Sequence, residues 1–210
     1  MKSIKALLFD LGNVLLPIDL SLTYQAFSQL SLSFSSEEIQ SKINNEGLWL
    51  GYEAGLLTDD EFRNLLRDKL DLDCSSDEFD HAFSALLLGF PANVYSFLQE
   101  LTASFDLYLL SNTSLIHSRI FLNNQLGPKG ENLFGLFKKA YFSYEMGLVK
   151  PNPLIYVQVL KENNLKAEEI IFFDDNVANI ESASNLGINS ILIDPTTSFS
   201  QISTKINELC

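Results

Sequence analysis

The sequence predicts an α/β fold, in which helices cover both faces of a parallel sheet. Five short apolar runs alternate with helix-like segments, and most of these runs are continuously apolar rather than alternating. This pattern is typical of strands that are buried on both faces. The predicted strands are residues 4–9, 106–110, 139–143, 169–173 and 188–193.

A long insertion follows the first predicted strand. Residues 10–105 separate the first two strands, which is far more chain than one crossover helix needs. Within this segment a hydroxyl residue is followed three positions later by glutamate, the spacing of a helix N-terminal capping box. The pairs are Ser35 with Glu38, Thr58 with Glu61, and Ser75 with Glu78.

The insertion should therefore be all-helical. We expect it to span residues 17–90, between the two parts of a core domain, residues 1–16 and 91–210. Pro91 is expected to open the helix that returns to the core, since proline is favoured at the first helical position.

Composition excludes several classes of partner. The chain has 27 acidic and 14 basic residues, giving a net charge of -13, and such a surface repels nucleic acid and acidic membranes. No run of about 18 apolar residues is present to span a bilayer. Two cysteines, Cys74 and Cys210, form neither a disulfide framework nor a metal motif, so we expect a cytoplasmic protein.

Polar residues follow the predicted strands, at the edge where parallel sheets bind ligands. These residues are Asp10 after the first strand, Ser111 and Asn112 after the second, Lys150 shortly after the third, and Asp174 and Asp175 after the fourth. Three converging carboxylates would repel one another without a cation, and Mg²⁺ binds oxygen ligands of this kind. The sequence therefore predicts a magnesium site.

The same residues could transfer a phosphoryl group. Asp10 could attack phosphorus, Ser111 and Asn112 could donate hydrogen bonds to phosphoryl oxygens, and Lys150 could supply a positive charge. Taken singly, Asp10 or Ser111 could merely cap a helix, and Lys150 could be a solvated lysine. The acidic doublet is harder to explain without a cation.

Four segments in order, "FDLGNV", "LLSNT", "KPNPLIY" and "FFDDN", resemble the four motifs of the haloacid dehalogenase-like hydrolase superfamily over essentially the whole chain. The resemblance implies a Rossmann-like core and a helical cap that closes over small substrates. It also implies that Asp10 is both nucleophile and Mg²⁺ ligand, that Gly12 offers its backbone carbonyl to the metal, and that Asp175 is the direct acidic ligand. Asp174 and Asn179 then stand next to the metal as outer partners.

The wording "DLGNV", "YEAG" at residues 52–55 and "SNTSLIH" most resembles bacterial phosphatases that act on sugar phosphates. The expected substrate-binding residues are Gly12, Asn13, Ser111, Asn112, Lys150, His117 and Glu53. His117 could face the cleft or only pack. Trp49, Tyr52 and Glu53 could form the substrate surface of the cap or simply its core.

Gly12 departs from the pattern of most phosphatases in the superfamily, which carry a general acid-base carboxylate at this position. Asp19 could substitute for it or could cap the following helix. We expect a Mg²⁺-dependent phosphatase that hydrolyses a small phosphate ester, such as a sugar phosphate, through an aspartyl phosphate. A 2-haloacid dehalogenase and a catalytically impaired binding protein stay open as alternatives.

Overall fold

The sheet has five parallel strands in the order β3-β2-β1-β4-β5, within the residues that the computed structural model describes, 4–123, 130 and 132–210. The strands are β1 Ala6–Phe9, β2 Asp106–Ser111, β3 Lys139–Phe142, β4 Ile170–Asp174 and β5 Asn189–Leu192. Each overlaps its predicted run, so the predicted α/β fold is confirmed.

Helices separated by loops and turns make up most of the remaining described chain. Between β1 and β2 lie α1 Leu20–Leu30, α2 Ser36–Glu46, α3 Leu48–Glu53, α4 Asp59–Leu70, α5 Ser76–Phe83 and α6 Val94–Leu101. After β2 come α7 Leu115–Asn123, α8 Ser143–Met146, α9 Pro153–Glu162, α10 Val177–Asn185 and α11 Phe199–Leu209. Short 3₁₀ helices lie at Ser84–Leu86, Phe134–Leu136 and Ala167–Glu169. Among the described residues, no helix has both the length and the apolar character needed to cross a membrane.

Both faces of the sheet are buried, as continuous apolar strands predict. Successive side chains of a strand point to opposite faces. In β1, Leu7 and Phe9 belong to the hydrophobic cluster on one face, whereas Ala6 and Leu8 belong to the cluster on the other. The sheet is thus the middle layer of three, and only its edges can carry a polar site.

The three predicted capping boxes form. In the box of α4, the Thr58 N–H donates to the Glu61 carboxylate at 2.8 Å and the Glu61 N–H donates to the Thr58 hydroxyl at 3.3 Å. The boxes of α2 and α5 have the same reciprocal pattern. Helices α1 to α5 enclose a separate aromatic cluster that includes Phe27, Phe62, Phe79 and Phe83. We call residues 17–90, the predicted insertion, the cap.

Two chain segments connect the cap to the core, and they pair with each other. The Asp19 N–H donates to the Leu86 carbonyl at 2.9 Å, and the Leu88 N–H donates to the Pro17 carbonyl at 3.2 Å. The prediction that Pro91 opens the returning helix is wrong. The Pro91 carbonyl instead accepts the Val94 N–H at 3.1 Å, because the chain makes one turn before α6 begins.

The cap also contacts the core directly at the end of α3. The Tyr52 hydroxyl accepts the N–H of Ile116 in α7 at 3.3 Å and donates to Asp59 at 2.6 Å. Nearby, Gly55 lies so close to the core that an added Cβ would overlap the carbonyl oxygen of Tyr144. Gly55 also has a φ of +70°, which disfavours any other residue.

We predict that Gly55→Ala destabilises the protein more than Gly47→Ala does. Both glycines have positive φ, +70° and +58°, so both substitutions strain the backbone by about 1–2 kcal/mol. Only Gly55 faces a neighbouring backbone, because nothing lies within 4 Å of a Cβ at Gly47. Urea unfolding of the two variants measures the difference. Equal losses of unfolding free energy would show that the cap does not press on the core at Tyr144.

Candidate active site

The ammonium group of Lys150 joins two carboxylates at the carboxyl edge of the sheet. Its Nζ lies 2.7 Å from Oδ1 of Asp10 and 2.6 Å from Oδ2 of Asp174. Asp10 directly follows β1 and Asp174 ends the adjacent strand β4, so sheet pairing brings the two acids together. The Asp10 N–H extends this pairing by donating to the Phe173 carbonyl at 2.8 Å.

All three groups of this cluster are buried. The exposed fraction of the side chain is 1% for Lys150, 0% for Asp174 and 11% for Asp10. Burial alone would lower the pKa of Lys150, but the two adjoining carboxylates outweigh it and raise that pKa, so the ammonium stays charged. Burial raises the pKa of Asp10 to about 7, and the charge of Asp174 adds to this effect while Lys150 opposes it.

The Asn112 side chain holds the backbone of Lys150 from both sides. Its carbonyl oxygen accepts the Lys150 N–H at 2.8 Å, and its amide donates to the Lys150 carbonyl at 2.9 Å. Asn112 follows β2, so this pair of bonds ties the loop after β3 to the neighbouring strand. The predicted role of Asn112 as a phosphate donor stays a prediction, since one of its hydrogens is already engaged.

The acidic doublet divides into two environments. Both oxygens of Asp174 already accept hydrogen bonds, from the Asn179 amide at 3.0 and 3.1 Å and from the Asn176 N–H at 2.8 Å. Asp175 accepts one bond, from the Asn13 amide at 3.0 Å. Asp174 is therefore held tightly in place, and Asp175 keeps an oxygen without a protein donor among the described residues.

The three carboxylates fit a divalent metal ion. One oxygen from each of Asp10, Asp174 and Asp175 lies within 4.8 Å of the others. Carboxylate oxygens in this number are the ligands that Mg²⁺ takes, together with water and substrate oxygens. A cation there would also lower the pKa of Asp10 and keep its carboxylate ionised. The residues present thus suit the ion that the sequence predicts, with Asp10 and Asp175 offering the freest oxygens.

A cavity of about 260 Å³ lies between the core and the cap, and it is lined by Leu11 and Gly12, the two residues that follow Asp10 in the chain. Its core side includes four of the predicted site residues, Gly12, Ser111, Asn112 and His117. Its cap side includes four polar side chains, those of Tyr24, Asn44, Trp49 and Glu53. The cavity is smaller than the roughly 300–1,000 Å³ of drug-sized ligand sites, which suits a small substrate.

His117 both lines the cavity and links core to cap. Its Nε2 lies 3.1 Å from the Phe83 carbonyl, and its ring stacks on Phe83 at 4.0 Å between centroids. Because a carbonyl only accepts, Nε2 carries the proton. Burial lowers the pKa of His117 to about 4, so the ring is neutral near pH 7 and leaves Nδ1 as an acceptor.

The structure brings most of the predicted residues together but places Asn13 differently. The Asn13 side chain bridges Asp175 and the Ile18 N–H, the latter at 3.2 Å, and does not line the cavity. Asp19 caps α1 by accepting the Ser21 N–H at 2.9 Å. Tyr52 is buried against Phe62, whereas Trp49 and Glu53 reach the cavity.

Sequence reasoning missed three residues at the site. Tyr24 and Asn44 line the cavity from α1 and α2, and the helical patterns give no sign of this. Ser143 was also missed, although its hydroxyl accepts the Thr113 N–H at 2.9 Å and donates to the Thr113 carbonyl at 3.1 Å. A serine directly after the third strand was the available signal.

Comparisons with known proteins agree with this geometry. Residues 4–187 match the haloacid dehalogenase-like hydrolase family. The chain is 29% identical over 187 residues to D-ribitol-5-phosphate phosphatase of Bacteroides thetaiotaomicron, covering 89% of this chain and 90% of that protein. A HAD family enzyme of the same organism, solved with magnesium and inorganic phosphate, superposes with a TM-score of 0.87 at 30% identity, over 95% of this chain and 99% of that one.

A more distant structure shares only the fold. L-2-haloacid dehalogenase of Xanthobacter autotrophicus superposes with a TM-score of 0.63 at 19% identity, over 98% of this chain and 83% of that one. The predicted family is confirmed by the family match. The prediction of a magnesium-dependent phosphatase is confirmed at the level of enzyme class by the Bacteroides matches, one named as a phosphatase and one solved with magnesium and phosphate.

We predict that Asp175→Asn weakens Mg²⁺ binding by at least roughly tenfold, a loss comparable to removing a supporting partner of a metal site. The amide removes a negative charge while keeping the shape of the side chain. Isothermal titration calorimetry with Mg²⁺ measures the effect, and Asp194→Asn, at an exposed carboxylate, is the matched control. Equal affinity in both variants would place the ion away from Asp175.

Proposed function

Because the chain belongs to the haloacid dehalogenase-like hydrolase family, we propose that Asp10 is the nucleophile of a Mg²⁺-dependent phosphatase whose substrates are small sugar or polyol phosphates. The carrying observation is the buried group formed by Asp10, Lys150 and Asp174, with Asp175 beside it, close to a cavity between the core and the cap. Bound Mg²⁺ supplies positive charge that offsets the carboxylates and the phosphoryl oxygens.

In the first step, a carboxylate oxygen of Asp10 attacks phosphorus and the bond from phosphorus to the ester oxygen breaks. Lys150 holds the attacking carboxylate in a fixed direction and offsets the charge of the phosphoryl group. The Ser111 hydroxyl, on the core side of the cavity, supports this step as a hydrogen-bond donor to the phosphoryl oxygens. The products are an aspartyl phosphate at Asp10 and the freed ester oxygen, which takes up a proton to become an alcohol.

In the second step, water attacks the phosphorus of the aspartyl phosphate and restores the Asp10 carboxylate. Asp174 keeps Lys150 in place throughout, since its own position is fixed by Asn179 and Asn176. The cavity between the core and the cap gives the attacking water a place beside the intermediate.

The polar groups of the cap support a polyhydroxylated substrate. The indole N–H of Trp49 is buried and has no hydrogen-bond partner among the residues that the structure describes, which is costly unless a ligand supplies an acceptor. Trp49 shares the cavity wall with the Tyr24 hydroxyl and with the neutral imidazole of His117. Together they offer donors and acceptors suited to the hydroxyls of a sugar or polyol chain, the kind of compound named in the matching D-ribitol-5-phosphate phosphatase.

The remaining expectations belong to this proposal. A net charge of -13 disfavours nucleic acid as a partner, and it favours a small substrate that enters with its own charge offset by Mg²⁺ and Lys150. A cytoplasmic location stays a prediction, as do the boundaries of the cap at residues 17 and 90.

We predict that the purified protein hydrolyses polyol and sugar phosphates faster than nucleotides or phosphopeptides, that Mg²⁺ is required, and that Asp10→Asn abolishes the activity. Activity is lost in Asp10→Asn because the amide is not an anionic nucleophile. The control variant Asp194→Asn should keep wild-type rates. The substrate preference is measured as phosphate release from a panel of these phosphate esters. Chloride release from 2-chloropropionate is measured alongside. Halide release, or phosphate release that survives in Asp10→Asn, would contradict the proposal.

A further inference from the structure

Gly12 leaves a chemical gap in the mechanism proposed above. It stands two residues after the nucleophile and lines the cavity, but it has no group that can transfer a proton. Its φ is not in the left-handed region, so the backbone itself does not require glycine. A Cβ there would lie 3.3 Å from Cδ1 of Ile18, so the apolar side chain of Ile18 occupies the adjacent space.

One acidic side chain faces this gap from the other side of the cavity. Among the described residues that line the cavity, Glu53 is the acidic one. It is the last residue of α3, in the cap. It lies near enough to feel the charges of Asp10 and Lys150. No hydrogen bond or ion pair joins its carboxyl group to another described residue.

We propose that Glu53 is the general acid and general base of this phosphatase, supplied by the cap in place of a carboxylate at position 12. This inference rests on the proposed function. It assigns a catalytic task to the cap in addition to enclosing the substrate, because the proton donor is present only when the cap is closed over Asp10.

The proton balance is complete with this one residue. As the Asp10 carboxylate attacks phosphorus, the electron pair of the breaking P–O bond goes to the ester oxygen, and the Glu53 carboxyl proton goes to that oxygen. Glu53, now a carboxylate, accepts a proton from the water that attacks the aspartyl phosphate. The bond from phosphorus to Asp10 breaks, and Glu53 is left protonated for the next cycle.

The other titratable groups near the cavity do not suit this task. Asp19 is exposed, caps α1 and does not line this cavity. The Nε2 proton of His117 is committed to the Phe83 carbonyl, and its ring is neutral. Burial raises the pKa of Tyr24, which makes its hydroxyl an even weaker acid.

The surroundings of Glu53 raise its pKa, so its carboxyl can carry a proton near neutral pH. Burial raises its pKa to about 7, and the negative charge of Asp10 adds to this while Lys150 opposes it. The titratable groups that face it are Asp10 and Lys150 from the core, His117 from α7 and Tyr24 from α1. A pKa near the working pH is what a group that both donates and accepts a proton needs.

The test compares phenyl phosphates of graded leaving-group pKa in rapid-quench experiments with Mg²⁺. A positioned acid contributes roughly 10²–10⁴-fold, so Glu53→Gln should slow aspartyl-phosphate formation from phenyl phosphate by about 10²-fold. The slowing for p-nitrophenyl phosphate should be below about tenfold, because nitrophenolate leaves without a proton. Breakdown of the intermediate should slow for every ester, so with p-nitrophenyl phosphate, whose formation step is little affected, the burst of nitrophenol should approach one equivalent of enzyme.

Two variants keep the result interpretable. Glu53→Asp retains an acid and should lose less rate than Glu53→Gln on phenyl phosphate. Glu37→Gln changes an exposed cap carboxylate and should behave like the wild type. Unfolding midpoints of all three variants check that the cap is intact.

Equal slowing of phenyl and p-nitrophenyl phosphates, equal loss in Glu53→Asp and Glu53→Gln, or a change in KM alone would overturn the assignment. The proposed function fails separately, if the wild type shows no Asp10-dependent release of nitrophenol from p-nitrophenyl phosphate.

Discussion

The buried contact of Lys150 with Asp10 and Asp174 is the constraint on which the site depends. Two carboxylates from adjacent strands would repel each other without this ammonium, and the ammonium would be costly to bury without them. Removing one partner from such a cluster costs on the order of 3–5 kcal/mol, because it leaves an uncompensated charge. The Asn112 clamp on the Lys150 backbone and the Asn179 amide on Asp174 explain how the chain holds this arrangement.

The order of the strands brings the catalytic residues together, and the cap adds the remaining side chains of the site. Strand β1 lies between β2 and β4, so the residues that follow these strands meet around Asp10. The cap rests on this edge through Tyr52 and Gly55 and adds polar groups that the core lacks. Asp10, which lacks the usual acidic residue two positions further on, can therefore still transfer a phosphoryl group if the cap supplies an acid. In this fold α3 is positioned to supply it.

The strands and helix caps could be predicted from the sequence because their signals are local. A continuous apolar run marks a strand that is buried on both faces, and a hydroxyl three residues before glutamate marks a helix start, as at Thr58. The role of residues at strand ends, such as Asp10 and Asp174, could be predicted from sheet geometry together with the family motifs.

Contacts between distant segments could not be predicted in this way. Asn13 was expected to bind substrate, and nothing local signals that its amide donates to Asp175, 162 positions along the chain. Tyr24 and Asn44 reach the cavity only because of how α1 and α2 pack in the cap. The start of α6 at Val94 rather than Pro91 depends on one extra turn, which no local rule specifies. The contacts of Asn13, Tyr24 and Asn44 are set by tertiary packing rather than by neighbouring residues.

The most direct test of the account is to trap the covalent intermediate on residue 10. Wild-type protein is mixed with p-nitrophenyl phosphate and Mg²⁺, quenched in acid within one turnover, reduced with borohydride and analysed by peptide mass spectrometry. The account predicts that Asp10 alone is converted to homoserine, in an amount that matches the burst of nitrophenol. A burst with unmodified Asp10, or reduction at Asp174 or Asp175 instead, would contradict the assignment of the nucleophile.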